Sequence, residues 1–124
     1  MAICNVFECY CIFIAVLWHT NRQNGKTVRL IFKDIHFVEG LKNYCKIHTS
    51  NGVYITHGSM KQIEESFPGD EFIRIHKSTI ISVYSIKYLT GQEVCLVGDR
   101  YFPIGETFRD KVKNFVSMRL LAFA

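Results

Sequence analysis

From Thr27 to Pro103 the chain is repeatedly interrupted: runs of β-branched and aromatic residues are soon stopped by glycine, asparagine, aspartate or serine. Such punctuation leaves no room for long helices and favours short strands joined by tight turns. The strands read as Thr27–Phe32, Ile35–Glu39, Tyr44–Thr49, Val53–His57, Phe72–Ile75, Ile80–Ser82, Ile86–Thr90, Val94–Val97 and Tyr101–Pro103. Gly91-Gln92 and Gly98-Asp99 separate the last of them. Two stretches carry the helical period instead. Ser59 can cap a short helix with Met60, Ile63 and Phe67 on one face and Lys61, Gln62, Glu64 and Glu65 outside, stopped by Pro68-Gly69-Asp70. A second helix starts at about Glu106 and places Phe108, Val112, Phe115 and Val116 on one stripe. The expected class is mainly β, with about ten short strands, one short internal helix and a C-terminal helix.

Two hairpins can be predicted from their turns. Asn24-Gly25, between apolar runs, joins a first strand at Cys11–Trp18 to Thr27–Phe32. For Tyr44–Thr49 and Val53–His57, a three-residue Ser50-Asn51-Gly52 loop pairs Ile47 with Ile55 and His48 with Tyr54. That register keeps one face apolar and puts Gly52 at a left-handed bulge position.

At 124 residues the chain is one domain, and 48% apolar against 21% charged residues is the balance of a folded protein. Aromatics at 14% with two prolines suit a sheet-rich core. The net charge of +4 is compatible with a polyanionic partner without demanding one. Five cysteines, Cys4, Cys9, Cys11, Cys45 and Cys95, form no disulfide framework and suit a reducing cytosol. Cys9-x-Cys11 with His19 lacks the second close pair of a zinc site, so the thiols read as small apolar groups and no metal is expected. Ile3–Trp18 is nearly all apolar but has no charged leader, and it falls short of the roughly 20 residues of a membrane span. It reads as a buried strand and its lead-in, with a short membrane anchor as the alternative.

Catalytic patterns are missing from the sequence. It has neither a phosphate-binding glycine loop nor a G-x-S-x-G elbow, and His36, His48, His57 and His76 share no metal or nucleophile motif. No enzyme activity, cofactor or small-molecule substrate is therefore expected.

Polar and basic groups gather at strand ends. The first group is Lys42, Asn43 and Tyr44, with Lys46 just inside its strand. The second is His76, Lys77, Ser78 and Thr79. The third follows Pro103, with Gly105, Glu106, Thr107 and Arg109. Lysine and arginine attract phosphate, hydroxyls and backbone N–H groups position it, and Asn, Lys and Arg can read base edges. Each also has an ordinary structural use: Lys42-Asn43 as a solvated turn, His76 as a hydrogen-bonded link, Tyr44 as a packing ring, and Arg109 as the ion-pair partner of Asp110 or Glu106.

Four segments occur in order: Phe37-Val38-Glu39, Leu41-Lys42-Asn43-Tyr44, the helix Ser59–Phe67, and Arg74-Ile75-His76-Lys77-Ser78. In sequence and spacing they resemble the LytTR family of bacterial DNA-binding domains over about Val28 to Val116. The chain accordingly divides into an apolar strand and turn at 1–27, a LytTR-type domain at 28–118 and a tail at 119–124. The resemblance implies stacked antiparallel sheets whose edge loops enter successive major grooves while the body faces the intervening minor groove. It carries contacts onto Tyr44, with Lys42 and Asn43 beside it, onto Lys77, and onto Glu106 followed by Thr107 and Arg109. The chain departs from the family at Glu106, where arginine is frequent, and at Ser82, where asparagine is.

The resemblance thus implies a bacterial, cytoplasmic transcriptional regulator binding double-stranded DNA at paired direct repeats, with weak dimerisation on DNA. Lys42, Lys46, Lys77 and Arg109 would neutralise phosphates, Asn43, Tyr44 and Lys77 would meet base edges, and Ser78 and Thr107 would fix register, with His76 beside them as a further DNA-binding residue. The family's usual N-terminal receiver domain has no room in this chain, which leaves a stand-alone regulator, a fragment, or a member controlled by other means. The alternatives are a protein-interaction or sensory module using exposed strand edges, and a regulator tethered to a membrane through Ile3–Trp18.

Overall fold

The computed structural model of the protein describes residues 16–20 and 24–119. Three antiparallel sheets stack into layers, and the middle one positions everything else. It has five strands in the order β5-β4-β3-β7-β6: β3 (Ile35–Gly40), β4 (Tyr44–Thr49), β5 (Gly52–His57), β6 (Phe72–His76) and β7 (Thr79–Ser82). On one face lie the hairpin of β1 (Val16–Thr20) and β2 (Thr27–Ile31) and helix α1 (Met60–Ser66). The other face is covered by β8 (Ile86–Leu89), β9 (Glu93–Leu96) and β10 (Arg100–Pro103), with helix α2 (Arg109–Ser117). The mainly β, stacked architecture with two modest helices is as the sequence indicated.

Alternation along the central strands sends successive side chains into two cores. Val38, Cys45, Ile47, Phe72 and Ile80 meet Leu30, Phe32, Ile63 and Phe67 on the α1 side. Phe37, Ile73, Ile75 and Ile81 meet Val94, Leu96, Ile104 and Val112 on the other. Cys45 and Cys95 are buried free thiols, and burial pushes the Cys45 thiol up from its ordinary value. Cys4, Cys9 and Cys11 lie outside the described residues.

Helix α1 carries the expected cap. Ser59 accepts from the Gln62 N–H and Gln62 answers to the Ser59 N–H, a capping box, with Met60 and Ile63 turned inward. The C-terminal segment begins differently from expectation, with a 3-10 turn at Glu106–Phe108 before the α-helix proper. Its apolar stripe of Phe108, Val112, Phe115 and Val116 packs on the second core as its spacing indicated.

Two sequence readings are corrected. The first strand is described from Val16 to Thr20, and it extends beyond Trp18; residues 11–15 of the expected strand lie outside the described residues. The Asn24-Gly25 hairpin itself forms, with Trp18 opposite Arg29. The β4–β5 hairpin adopts neither the three-residue loop nor the expected pairing. Thr49 pairs with Gly52 around a two-residue Ser50-Asn51 turn, which sets Ile47 opposite Tyr54 and His48 opposite Val53. The Thr49 hydroxyl closes this turn, accepting from the Asn51 N–H at 3.1 Å and donating to the Gly52 carbonyl at 2.8 Å. The register was chosen to bury Val53 and Ile55. Tyr54 and Thr56 face the core side instead, and Val53 and Ile55 are each 52% exposed. Tyr54 fills the place better because its ring meets the edge of the buried His19 at 5.9 Å and packs on the first core.

Candidate nucleic-acid interface

Strand direction decides where the three polar segments go. β3 ends, β4 begins, β6 ends and β7 begins at the same end of the central sheet, with Glu39 opposite both Lys46 and Thr79. The β3–β4 loop and the β6–β7 turn therefore sit side by side, joined by a hydrogen bond from the Gly40 N–H to the Ser78 carbonyl at 2.7 Å. The segment after β10 reaches the open side of β6, where the Gly105 N–H donates to the Ile75 carbonyl, also at 2.7 Å. The three segments line one rim in the order first, second, third.

The close approach at Gly40 explains the glycine. A Cβ there would lie 2.7 Å from the sulfur of Met60 and 3.5 Å from Ser78 Cα. A larger residue would force the Met60 side chain to move, while its contact with Ser78 would be an ordinary one.

Within the second segment a side chain that the sequence reading had not singled out does most of the shaping. Arg74 donates to the His76 carbonyl at 3.3 Å and to the Lys77 carbonyl at 2.7 Å. The same guanidinium reaches Glu64 on α1 at 3.3 Å and lies over the Phe108 ring of the third segment, 5.6 Å from its centre. One planar cation thus ties both neighbours to the turn, a geometry that lysine cannot copy. The signal was in the Arg74-Ile75-His76-Lys77-Ser78 motif: an arginine two residues ahead of a turn can reach back to the turn's carbonyls.

Glu64 is part of that tie, and not on the solvated face expected for it. It binds Arg74 and also Lys111 of α2, at 2.9 Å. Burial works to raise its carboxyl, but the bonds and charges of Lys111 and Arg74 outweigh this and hold it below the ordinary carboxylate value.

The candidate residues fall into two groups. His76 and Ser78 are turned on each other: His76 Nδ1 accepts the Ser78 N–H at 3.3 Å and lies 3.2 Å from its hydroxyl. Thr79 is buried. Tyr44 and Lys46 are half-buried at the start of β4. Lys42, Asn43, Lys77, Thr107 and Arg109 are exposed along the rim, and none of the cations among them pairs with a described carboxylate. Exposed Lys61, next to the Met60 that packs on Gly40, adds a cation that the sequence reading placed only on the outside of α1.

The two departures can now be placed. Ser82 is fully buried and accepts from the Tyr84 N–H at 3.2 Å, which caps the 3-10 turn Val83–Ser85. Glu106 is exposed in the first turn of the third segment, next to Thr107. Elsewhere His48 has a structural setting, stacked on Phe37 at 4.1 Å and meeting Glu39 at 3.1 Å, while His36 and His57 are exposed. Among the described residues no cluster of histidine, cysteine or carboxylate side chains could hold a metal ion, and no helix is long and apolar enough to cross a membrane.

Comparison with known proteins agrees with this fold. No curated protein matches the chain. Among solved structures, it is similar to the LytTr DNA-binding domain of a methyl-accepting/DNA response regulator from Bacillus cereus. That similarity has a TM-score of 0.70 at 17% identity, covering 82% of this chain and 96% of the other. The family model described as LytTr DNA-binding domain, a DNA-binding rather than a catalytic family, matches residues 25–117. With so much of its length matched, the chain belongs to the LytTr DNA-binding domain family.

Proposed function

We propose that the chain is a bacterial transcriptional regulator acting in the cytoplasm, where its rim binds double-stranded DNA sequence-specifically. The observation that carries this reading is the continuity of the rim. The bonds Gly40–Ser78 and Gly105–Ile75 hold three cation-bearing segments against one another, so a single duplex can meet all three.

Dimensions refine how the grooves are shared. Neighbouring strands are about 4.8 Å apart, so the first two segments are roughly 10 Å apart at their roots and the outer two roughly 17 Å. A major groove is about 12 Å wide and a minor groove about 6 Å. Successive major grooves are centred one helical turn of about 34 Å apart, so the outer segments reach toward their facing edges only through their side chains, with the body at the minor groove between them. In this arrangement Asn43 and Tyr44 meet base edges from the first segment and Lys77 from the second. Lys42, Lys46, Lys77 and Arg109 neutralise phosphates, and Thr107 fixes the third segment. His76 and Ser78 set register by shaping the turn. The rim is shorter than one helical turn of about 34 Å, which suits paired direct repeats occupied by two weakly associating copies.

Selection from a random duplex pool tests the proposal. Enrichment of one repeated motif, bound with log K falling by about 0.9 per phosphate neutralised as log salt rises, is expected. A flat salt titration with no enriched motif would sink it. The exposed Val53 and Ile55 on the outermost strand β5 favour a second reading, a protein-interaction module, which predicts partner capture that is indifferent to duplex DNA.

A further inference from the structure

On the side of the molecule where α2 faces the second core, the described residues leave the layers open. A cleft of about 420 Å³ lies between β6, β7, β8, β9 and α2. Ile73, Ile81, Leu89, Val94, Val112 and Phe115 are among its walls, and Arg119 is the one polar side chain among the described residues that line it. Protein interiors leave few voids larger than a water molecule, so a space of this size between packed layers marks a place for something else. Ile86, Leu89, Phe115 and Val116 are only half-buried and line this space. Pockets of this volume and apolar character are typical of small-molecule sites.

The walls also restrict what could enter. A sugar or a nucleotide would lose its hydration and find one partner only, a poor exchange for a polar ligand. An apolar body suffers no such loss. Arg119 donates to the Phe115 carbonyl at 3.0 Å, and its guanidinium lies 3.8 Å from the centre of the Phe115 ring. That contact uses one of five N–H donors, and Arg119 pairs with no described carboxylate, so a fork for an anionic head is free at the wall. A cleft of this volume suits a single short acyl chain with its head at Arg119.

We propose that this cleft binds a small amphipathic carboxylate, with the apolar body among Ile73, Ile81, Val94 and Val112 and the head on Arg119. The site is distinct from the rim, and its existence does not rest on the DNA-binding reading.

The test is a titration of the full chain with sodium decanoate, kept below micelle-forming concentration, followed through the methyl resonances of Ile73, Ile81, Val94 and Val112. 1-Decanol serves as the neutral control. Saturable shifts of those methyls at one decanoate per chain are expected. Arg119→Gln should weaken decanoate about tenfold and leave decanol unchanged. Val116→Trp, at a half-buried wall position, should block both, with a thermal melt confirming that the variant folds. Unsaturable shifts, or equal loss of acid and alcohol in Arg119→Gln, would overturn the proposal. So would contacts from these methyls to Leu121 or Phe123 in the ligand-free chain, or shifts that track protein concentration; the first assigns the cleft to the chain's own end and the second to another copy.

Discussion

In the β6–β7 turn, side chains shape the backbone; in the neighbouring β3–β4 loop, the backbone holds itself and the side chains stay free. The turn is clamped by Arg74 on two carbonyls and by His76 and Ser78 on each other, which leaves Lys77 as its exposed cation. The loop is closed by main-chain bonds: Leu41 N–H to the Tyr44 carbonyl at 2.8 Å, Gly40 to Ser78, and Gly58 N–H to the Asn43 carbonyl at 3.4 Å. The side chains of Lys42 and Asn43 make no hydrogen bond or ion pair among the described residues. Motif residues in the turn are therefore mostly scaffold, whereas residues in the loop are free to set specificity.

The largest effect expected from this contrast is at Arg74. Arg74→Ala should lower stability by about 2 kcal/mol, through two carbonyls left without their charged donor and a carboxylate left with Lys111 alone, and should weaken DNA binding more than tenfold. Arg74→Lys should recover little of the affinity, because only the fork reaches both carbonyls. Thermal melts and gel shifts on the same samples separate the two losses. If Arg74→Lys restores full binding, the turn is held by charge alone and the contrast fails.

Lys77→Ala comes next, at about 1–3 kcal/mol in binding if the amine reads a base edge, with melting temperature unchanged. Asn43→Ala should also leave the melt unchanged while altering which motif is selected. A change of preferred motif from His76→Ala without loss of stability would reverse the assignment of roles.

Glu106→Arg sharpens the comparison by gain. It removes an anion from the third segment and supplies a cation, so affinity should rise several-fold and the salt slope should steepen by about 0.9. An unchanged slope would place the third segment away from the duplex.

Acid gives the smallest and most gradual effect. The Glu64 carboxyl is held below its ordinary value of 4.5, so its contribution is complete above that pH and is lost as pH falls through the lowered value. His19 is held neutral by burial, below its ordinary 6.5, so its contribution is complete above 6.5 and declines as pH drops from there. Both losses run toward acid. The β1–β2 hairpin, which holds His19, should loosen first, and the rim only at lower pH; amide exchange resolves the order.

Sequence periodicity was a good guide wherever a residue's face followed from its neighbours in the chain. The α1 stripe, the α2 stripe and the alternation of Cys45 and Ile47 are of that kind. It failed at Val53 and Ile55, because the outermost strand has no sheet beyond it and apolar residues there need not face the core. The candidate site was legible as three polar strand ends, yet their adjacency depends on strand order β4-β3-β7-β6, a non-local property. Arg74 was hidden for the same reason. Its partners on Glu64 and Phe108 come from helix and loop segments far along the chain, and only their meeting shows that it organises the rim.

Ile75 has one last consequence. Its carbonyl secures Gly105, while its side chain forms part of the cleft wall beneath α2. A wedge driven into that space would strain the anchorage of the third segment directly, without passing through any groove-facing residue. Ile75→Val, which trims that wall and keeps every surface group, should loosen the tip around Thr107, read as faster amide exchange at Gly105.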